Sequence, residues 1–570
     1  MPVTTSYPGI YIQELPSSSH SIPAAPTNIA VFIGYTHPLK TQPANWGNPY
    51  QIFGFNDYQR QFGGFLRSAA FAAAANAYAY ATHPALDPNT AFGDMAMAVN
   101  QFFLNGGTEA YVVGIQSRPP ITGASVTIGP LIFTATEITD EIFSMTITVR
   151  PVGSGASSGT TSPPITSPPV DDIVDIIIRY GPATSNGPAT GPGTVTETYR
   201  RVSIEKTEPH GRTPNPDYVV SRLSNSQLVK VAVASPAGPF PAAAQTEIFG
   251  VALPAATPIF EASDFTAVMQ PDSALDKLPI FNLMVIPGVS NSVVLSAALA
   301  FCERRLAFLI MDPPITASAD GTNLSFPIRI QDVMNGNDPT IPPPPEGANS
   351  ALYFPYLKSA DPLTGLAKNS VTGQVNEIAP AATVAGVYAA TDLTRGVWKA
   401  PAGFQPSTNN TTGVADRGRM TDLRQGTLNP LGVNCLRDFP NVGTVVFGAR
   451  TLVTVTDEQW RYVPVRRMAL FIEQSLSAAL TWVVFEPNAD PLWAAITASV
   501  NAFMLGLFRQ GAFQGTTPSK AFSVQCNSQT TTQTDIDTGI VNIVVAFAPL
   551  KPAEFVIITI AQLAGQSQTG

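Results

Sequence analysis

One pentapeptide has the spacing of a catalytic nucleophile: Gly155-Ala156-Ser157-Ser158-Gly159 satisfies G-x-S-x-G. That spacing works when a sharp strand-to-helix turn lifts the serine hydroxyl clear of the backbone. Here it lies inside GSGASSGTTSPPITSPP at 153–169, a Ser/Gly/Pro tract with neither strand nor helix pattern beside it, so the match is chance. Trp398-Lys399, within GVWKAPAG, could serve an imine-forming lysine, but a tryptophan packed in a turn with the lysine paired to a carboxylate accounts for the same residues. Arg450 is expected in a structural ion pair. The histidines His20, His37, His83 and His210 stand beside prolines or in polar loops, and Cys302, Cys435 and Cys526 are far apart. None sits at ligand spacing, which argues against a metal site. No phosphate-binding loop, H-E-x-x-H, C-x-x-C or EF-hand loop occurs, and the dispersed carboxylates single out no acid–base pair. The sequence predicts no catalytic residue, no metal and no cofactor.

The elements around these residues are more informative. Prolines 2, 8, 16, 23 and 26 forbid a helix in the first 28 residues, leaving an extended arm with one short apolar strand, Gly9–Ile12. A core strand at Ile29–Ile33, helices around 67–81 and 94–105, and a strand at Ala110–Val113 make an α/β opening. Between 118 and 270, short β-branched runs (Ser125–Ile128, Ser144–Val149, Asp175–Arg179, Val195–Tyr199) alternate with low-complexity turns, as in a β-rich insertion. The α/β texture resumes with a strand at Phe281–Ile286, a helix at 292–306 and a strand at Ala307–Met311. Further on, the periodicity predicts a helix over 464–482 with Met468, Ile472, Leu476 and Ala479 on one face. A second helix over 490–508 has Asp490 as cap and a stripe of Trp493, Ile496, Val500, Phe503, Met504 and Leu507. Strands are predicted at 520–526, 539–547 and 554–561. The last, EFVIITIA, is apolar on both faces, so something must cover both sides of it.

Composition narrows the function classes. The 570 residues make about four domains a reasonable prior. Charged residues are 12%, about half the usual ~25%, and the 53 prolines are about 9% against a usual ~5%. A net charge of −9 argues against a dedicated nucleic-acid binder. The weakly polar surface that few charges imply is a hint of assembly. The start lacks a basic and apolar leader, and 64–82, mostly alanine with Arg67 and Asn76, falls short of a membrane span. The expectation is a soluble chain made in a cytoplasm, with reduced cysteines. An extended arm and a two-faced apolar terminal strand are what strand exchange between subunits needs. The residues alone leave open whether both pair within their own subunit.

Several stretches, in this order, resemble the contractile tail sheath proteins of phages, tailocins and extracellular contractile injection systems. They are Tyr7-Pro8-Gly9-Ile10-Tyr11-Ile12, Phe102–Gly107 followed by Ala110–Val113, Ala385–Tyr388, Arg395–Gly403, Gly448–Leu452, Phe485-Glu486-Pro487-Asn488, and Ala548-Pro549 with Pro552–Val556. The resemblance covers 1–117 and about 275–570. It departs at Gly114, often arginine in the family, and at Gln13, often acidic.

The resemblance implies a multi-domain α+β chain. Residues 1–28 would be a linker arm, 29–117 with 271–440 an α/β middle domain, 118–270 a β-rich outer insertion, and 441–570 an inner domain facing the tube. It implies strand exchange through Tyr7, Gly9, Ile10, Tyr11, Ile12 and Glu14 at one end, and Glu554, Phe555, Val556, Ile557, Ile558 and Ile560 at the other, with 15–28 as hinge. Arg509 would be a contact to the tube. The implied function is a non-enzymatic subunit that polymerises helically around an inner tube and contracts from a metastable extended state to drive the tube through a target envelope. Its partners would be other copies of itself, the inner tube protein, and baseplate and terminal cap proteins, without nucleic acid or direct membrane insertion. The implied setting is assembly in a bacterial cytoplasm as part of a phage tail or tail-like particle. A static capsid-like shell and a secreted hydrolase are the alternatives.

Overall fold

A computed structural model describes residues 21–65, 94–116, 120–139, 143–152, 173–188, 190, 194–207, 214–235, 240–241, 243–250, 261–314, 327–338, 341–360, 376–405, 407–414, 420–453 and 457–558. The expected helix at 67–81, the 153–169 tract and the expected arm residues Tyr7–Glu14 lie outside them. The described chain forms two compact units. One runs from Pro26 to Ala390 and from Pro401 to Asp457; the other holds 21–25, Thr391–Ala400 and 458–558.

The larger unit is built on strand β1 (Ala30–Tyr35), whose six residues are all buried. Such a run suits a parallel strand covered on both faces. Next come β2 (Pro49–Ile52), helix α1 (Phe55–Phe62), helix α2 (Asp94–Leu104) and β3 (Ala110–Ile115). The turn after α2 requires glycine: Gly106 has φ +111°, and a Cβ there would stand 2.6 Å from the Ala390 Cβ.

The β-rich segment follows with β4 (Ser125–Ile128), β5 (Leu131–Ala135), β6 (Phe143–Pro151), β7 (Ile173–Thr184), β8 (Gly187–Pro188), β9 (Val195–Ser203), β10 (Val229–Val233) and β11 (Gln245–Ile248). Every pairing among them is antiparallel, in the orders β10-β5-β4 and β11-β6-β7-β8 with β9 also on β7. Alternating Met145, Ile147, Val149 and Ile176, Ile178, Tyr180 point into an apolar core of its own.

After helix α3 (Ala262–Val268) come β12 (Leu283–Val285), α4 (Ser292–Arg304), β13 (Phe308–Met311), α5 (Pro327–Met334) and β14 (Ser350–Phe354). The small strands β15 (Leu357–Ser359), β16 (Asn376–Ile378) and β17 (Gly413–Val414) pair with one another, with helix α6 (Pro380–Arg395) between the last two. Helix α7 (Asp422–Leu428), β18 (Val433–Phe439) and β19 (Gly443–Val446) complete the unit. The main sheet runs β19-β18-β14-β13-β12-β1-β3-β2. Its six inner strands are parallel and its two edges antiparallel. The strand expected at Phe281–Ile286 is shorter, Leu283–Val285, and just before it the Asn282 side chain accepts the Ile29 N–H and donates to the Pro26 carbonyl.

Candidate assembly surface of the C-terminal unit

The smaller unit is a helical hairpin carrying a two-stranded sheet. Helix α8 (Val463–Ala479) has Pro464 in its first turn, where the missing N–H costs nothing. Met468 and Ile472 are buried as expected, whereas Leu476 and Ala479 are half-buried. The helix stops at Ala479, and a 3-10 turn at Thr481–Val483 occupies the end of the expected helix. Helix α9 (Asp490–Arg509) buries the whole expected stripe, Trp493, Ile496, Val500, Phe503, Met504 and Leu507. Among the described residues it alone is long and apolar enough to cross a membrane, yet this stripe packs into the unit's core, with the Phe503 ring 6.1 Å from that of Phe471. Asp490 is not the cap. Extended Ala489 holds that position without a side-chain bond, and Asp490 is the first helical residue, where its charge favours the helix dipole.

Thr391–Ala400 belongs to this unit by two kinds of contact. Val397 and Trp398 enter its apolar cluster. The Arg467 guanidinium donates to both oxygens of Asp392, at 2.9 and 2.6 Å, with the two side chains 4% and 1% exposed. Lys399 Nζ donates to the Ala400 carbonyl at 2.7 Å; burial, with Arg395 nearby, lowers its pKa. That use of Trp398 and Lys399 is structural. The described end of the N-terminal arm also lies here: Ile22 and Ala25 pack on the cluster, and the Ala25 N–H donates to Ser475 Oγ at 3.0 Å.

Strands β20 (Phe522–Gln525) and β21 (Val544–Phe547) pair antiparallel, Phe522 opposite Phe547 and Val524 opposite Val545. One face of this ribbon packs on the core and the other meets solvent. Among the described residues, each strand is paired along one edge only. The strand expected over 539–547 is shorter. Helix α10 (Gln533–Asp537) precedes it, and the Asn542 backbone is engaged by the Thr531 hydroxyl instead of a ladder.

Beyond β21, Ala548 and Pro549 stay on the body through backbone contacts to Gln514, Ala521 and Phe513. Glu554 is half-buried, its Oε2 accepting the Tyr462 hydroxyl at 3.3 Å. The chain then leaves the surface: Phe555, Val556, Ile557 and Ile558 are 74, 81, 89 and 79% exposed. The strand expected at 554–561 is therefore not formed over the described residues 554–558. A β-segment needs a ladder partner, and none of the described residues supplies one there. Ile560 lies outside the described residues. Arg509 is exposed at the C-terminal end of α9, where a cation is favoured by the helix dipole.

The larger unit holds two buried polar groups that the sequence did not reveal. His37, placed in a polar loop by its proline neighbour, is fully buried, its Nε2 3.3 Å from Glu137 Oε2, while Lys40 Nζ lies 2.5 Å from Glu137 Oε1. Burial alone would raise the Glu137 carboxyl, but the His37 hydrogen bond and the Lys40 charge outweigh it and bring it to about 2. Burial pushes His37 down, partly offset by Glu137. No sequence signal links residues 100 positions apart. Asp312, at the carboxyl end of β13, occupies the rim where doubly wound sheets hold ligands. Both its oxygens are used internally, accepting the Gly288 and Ala381 N–H groups at 2.8 and 2.7 Å, and burial raises it to about 7. Arg450 donates to the Asn429 carbonyl at 3.0 Å. Among the described residues no three His, Cys, Asp or Glu side chains gather as metal ligands, and all three cysteines are buried thiols.

Residues 455–562 match the family model of the phage tail sheath C-terminal domain. No curated protein matches the chain. Among solved structures, the chain is similar to the sheath of the extracellular contractile injection system PVC in its contracted state, at 21% identity and TM-score 0.53 over 98% of this chain and 99% of that one. It is equally similar to the contracted helical sheath of the anti-feeding prophage, at 21% identity and TM-score 0.53 over 98% and 100%. A sheath tail protein from Desulfitobacterium hafniense aligns at 12% identity and TM-score 0.51 over 95% and 100%. Over nearly its whole length the chain has the fold of these sheath proteins.

Proposed function

We propose that this chain, which carries the sheath-protein fold, is the repeating subunit of a contractile tail sheath. It polymerises helically around an inner tube and contracts from a metastable extended state, driving the tube through a target envelope. The observation that carries the reading is the exposed run Phe555–Ile558, which has no partner among the described residues and leaves a body whose ribbon, among those residues, is paired along one edge of each strand only. An exposed four-residue apolar strand is a liability in a monomer and an asset in a polymer. Each such side chain gains about 1.5–3 kcal/mol when fully covered. The second edges of β20 and β21 in a neighbouring copy offer both the backbone partners and the alternating face.

In this reading residues 1–28 are the linker arm, with Tyr7–Glu14 as its exchanged strand. The α/β body, which keeps β19 in its main sheet and so extends past the expected boundary at 440 to Asp457, and the inner domain from Glu458 onward, joined by Thr391–Ala400, move as the sheath shortens, and the β-rich insertion (118–270) projects outward. Arg509 lies toward the tube. Tethers shared between copies keep the mesh connected while contraction adds contact area. At ~25 cal/mol per Å², ~200 Å² of added apolar burial per subunit is about 5 kcal/mol before costs, repeated along the polymer. The role is structural, not enzymatic, within a tail-like particle with a tube, baseplate and terminal cap.

Negative-stain electron microscopy of the purified chain, beside a copy lacking residues 1–28, tests the reading. Wide hollow tubes from the full chain that vanish on truncation are expected. Monomers from both at high concentration would overturn it, and closed shells would favour a capsid-like assembly.

A further inference from the structure

We infer that the Tyr462–Glu554 contact is the pivot from which the C-terminal segment departs, fixing the direction in which it reaches a second copy of this chain; this rests on the sheath reading. The exposure pattern locates the pivot. From Lys551 to Glu554, exposed and half-buried residues alternate, as in an extended segment lying on a surface; from Phe555 onward every described residue is exposed. The last described side-chain contact before the departure is the Tyr462 hydroxyl donating to Glu554 Oε2 at 3.3 Å.

The receiving end is firm. Tyr462 has extended backbone at the N-cap of α8, and its carbonyl accepts the Val465 and Arg466 N–H groups, both at 3.1 Å. Arg466 is braced in turn, its guanidinium 4.9 Å from the centre of the Trp460 ring and 3.4 Å from Glu473. Behind Glu554, Pro549 bridges to Phe513 and the Ala548 carbonyl accepts the Gln514 N–H, so the segment is held at both ends before it leaves. A free segment of four or more residues explores many directions, and ordering it costs roughly 1–2 kcal/mol per residue. Fixing its root removes part of that search, because a strand leaving at a set angle is pre-organised for the neighbour's ribbon. Glu554 and Tyr462 are positioning residues; the adhesive residues are the four beyond them.

The test uses the full chain and measures the critical concentration for polymerisation by sedimentation, with the melting temperature of the unpolymerised subunit alongside. Tyr462→Phe keeps the ring and removes only the hydroxyl. Glu554→Leu removes the acceptor, and Glu554→Gln restores one. Tyr462→Phe and Glu554→Leu are expected to raise the critical concentration about fivefold, the scale of the ordering cost of about one residue that the anchored root otherwise bears before assembly, at unchanged melting temperature. Glu554→Gln is expected to recover most of that loss. Wild-type critical concentrations in both Tyr462→Phe and Glu554→Leu would overturn the pivot, as would Glu554→Gln behaving like Glu554→Leu. If Glu554→Leu does not fold, Tyr462→Phe decides alone. A full chain that forms no polymer at all would sink the sheath reading itself, whereas a copy ending at Glu554 that polymerises like wild type, or one that fails beside fully competent point variants, would sink only the pivot.

Discussion

Replacing Arg467 by methionine removes one partner of a deeply buried Arg–Asp ion pair and leaves the other in place. Asp392 is 1% exposed, and both its oxygens accept from Arg467. Methionine fills much of the arginine stem's volume, so the expected loss is electrostatic more than a packing loss. An uncompensated carboxylate at such a site costs about 3–5 kcal/mol, whereas replacing both members by apolar residues is often neutral. Thr391–Ala400 would lose its charged tie to α8 and keep the contacts of Val397 and Trp398. Tryptophan fluorescence during urea unfolding is the suitable assay: Trp398, Trp460, Trp482 and Trp493 belong to this unit, and of the five tryptophans only Trp46 does not. Arg467→Met should lower the stability of that transition by about 3–5 kcal/mol, and Arg467→Met with Asp392→Leu should recover at least half. A loss under about 1 kcal/mol in the single variant, or a double variant no better than the single, would refute the reasoning.

Acid should loosen the anchor of the β-rich segment. Glu137 is held at about 2, below its ordinary 4.5, so its contribution is present above pH 4.5 and is lost as pH falls toward 2. It amounts to about 3 kcal/mol by linkage. His37, held below its ordinary 6.5, acts in the same direction from a higher pH. Melting curves of wild type should fall steeply across the lower window, and Glu137→Gln should start lower at neutral pH and fall less; parallel curves would contradict this. Phe485 combines φ +71° with full exposure of its ring. Phe485→Gly should raise the subunit's stability by about 0.5–1 kcal/mol in thermal melts, and a drop would show the ring to be supported. Gly386 lies where a Cβ would stand 2.6 Å from the Phe102 carbonyl oxygen and 2.7 Å from the Asn105 Cβ. Gly386→Ala should cost about 1–2 kcal/mol despite its better helix propensity, because overpacking outweighs that gain; unchanged stability would mean that α2 yields easily.

Part of the order of elements is legible because β1, β12 and β13 are short apolar runs and the C-terminal helices carry their stripes, whereas β18, which mixes Asn434, Arg437 and Asp438 with its apolar residues, and the helix Pro380–Arg395 are not anticipated. Strands at Ile29–Ile33 and Ala307–Met311 and the Trp493–Leu507 face can be read from the residues alone, and the structure sets the strands at Ala30–Tyr35 and Phe308–Met311. Pairings set by distant side chains were not legible. Asn282 reaching Ile29, Glu137 reaching His37, and Asp392 reaching Arg467 across 75 positions leave no local pattern. The cap of α9 was misassigned because Asp490 has the usual chemistry of a cap while the geometry belongs to Ala489. At the C-terminus the two-faced apolarity of Glu554–Ala561 was read as a strand. The described residues leave Phe555–Ile558 uncovered, because none of them supplies a ladder for this segment. That unmet requirement was itself the most useful sequence signal for assembly.

A helical cryo-electron microscopy reconstruction of the polymerised chain tests the central claim most directly. The account predicts residues 555–558 as a strand hydrogen-bonded to the edge of β20 or β21 of a neighbouring copy, with Glu554 still against its own Tyr462. A polymer in which that segment folds back onto its own subunit, with β20 and β21 unpaired to any neighbour, would contradict it.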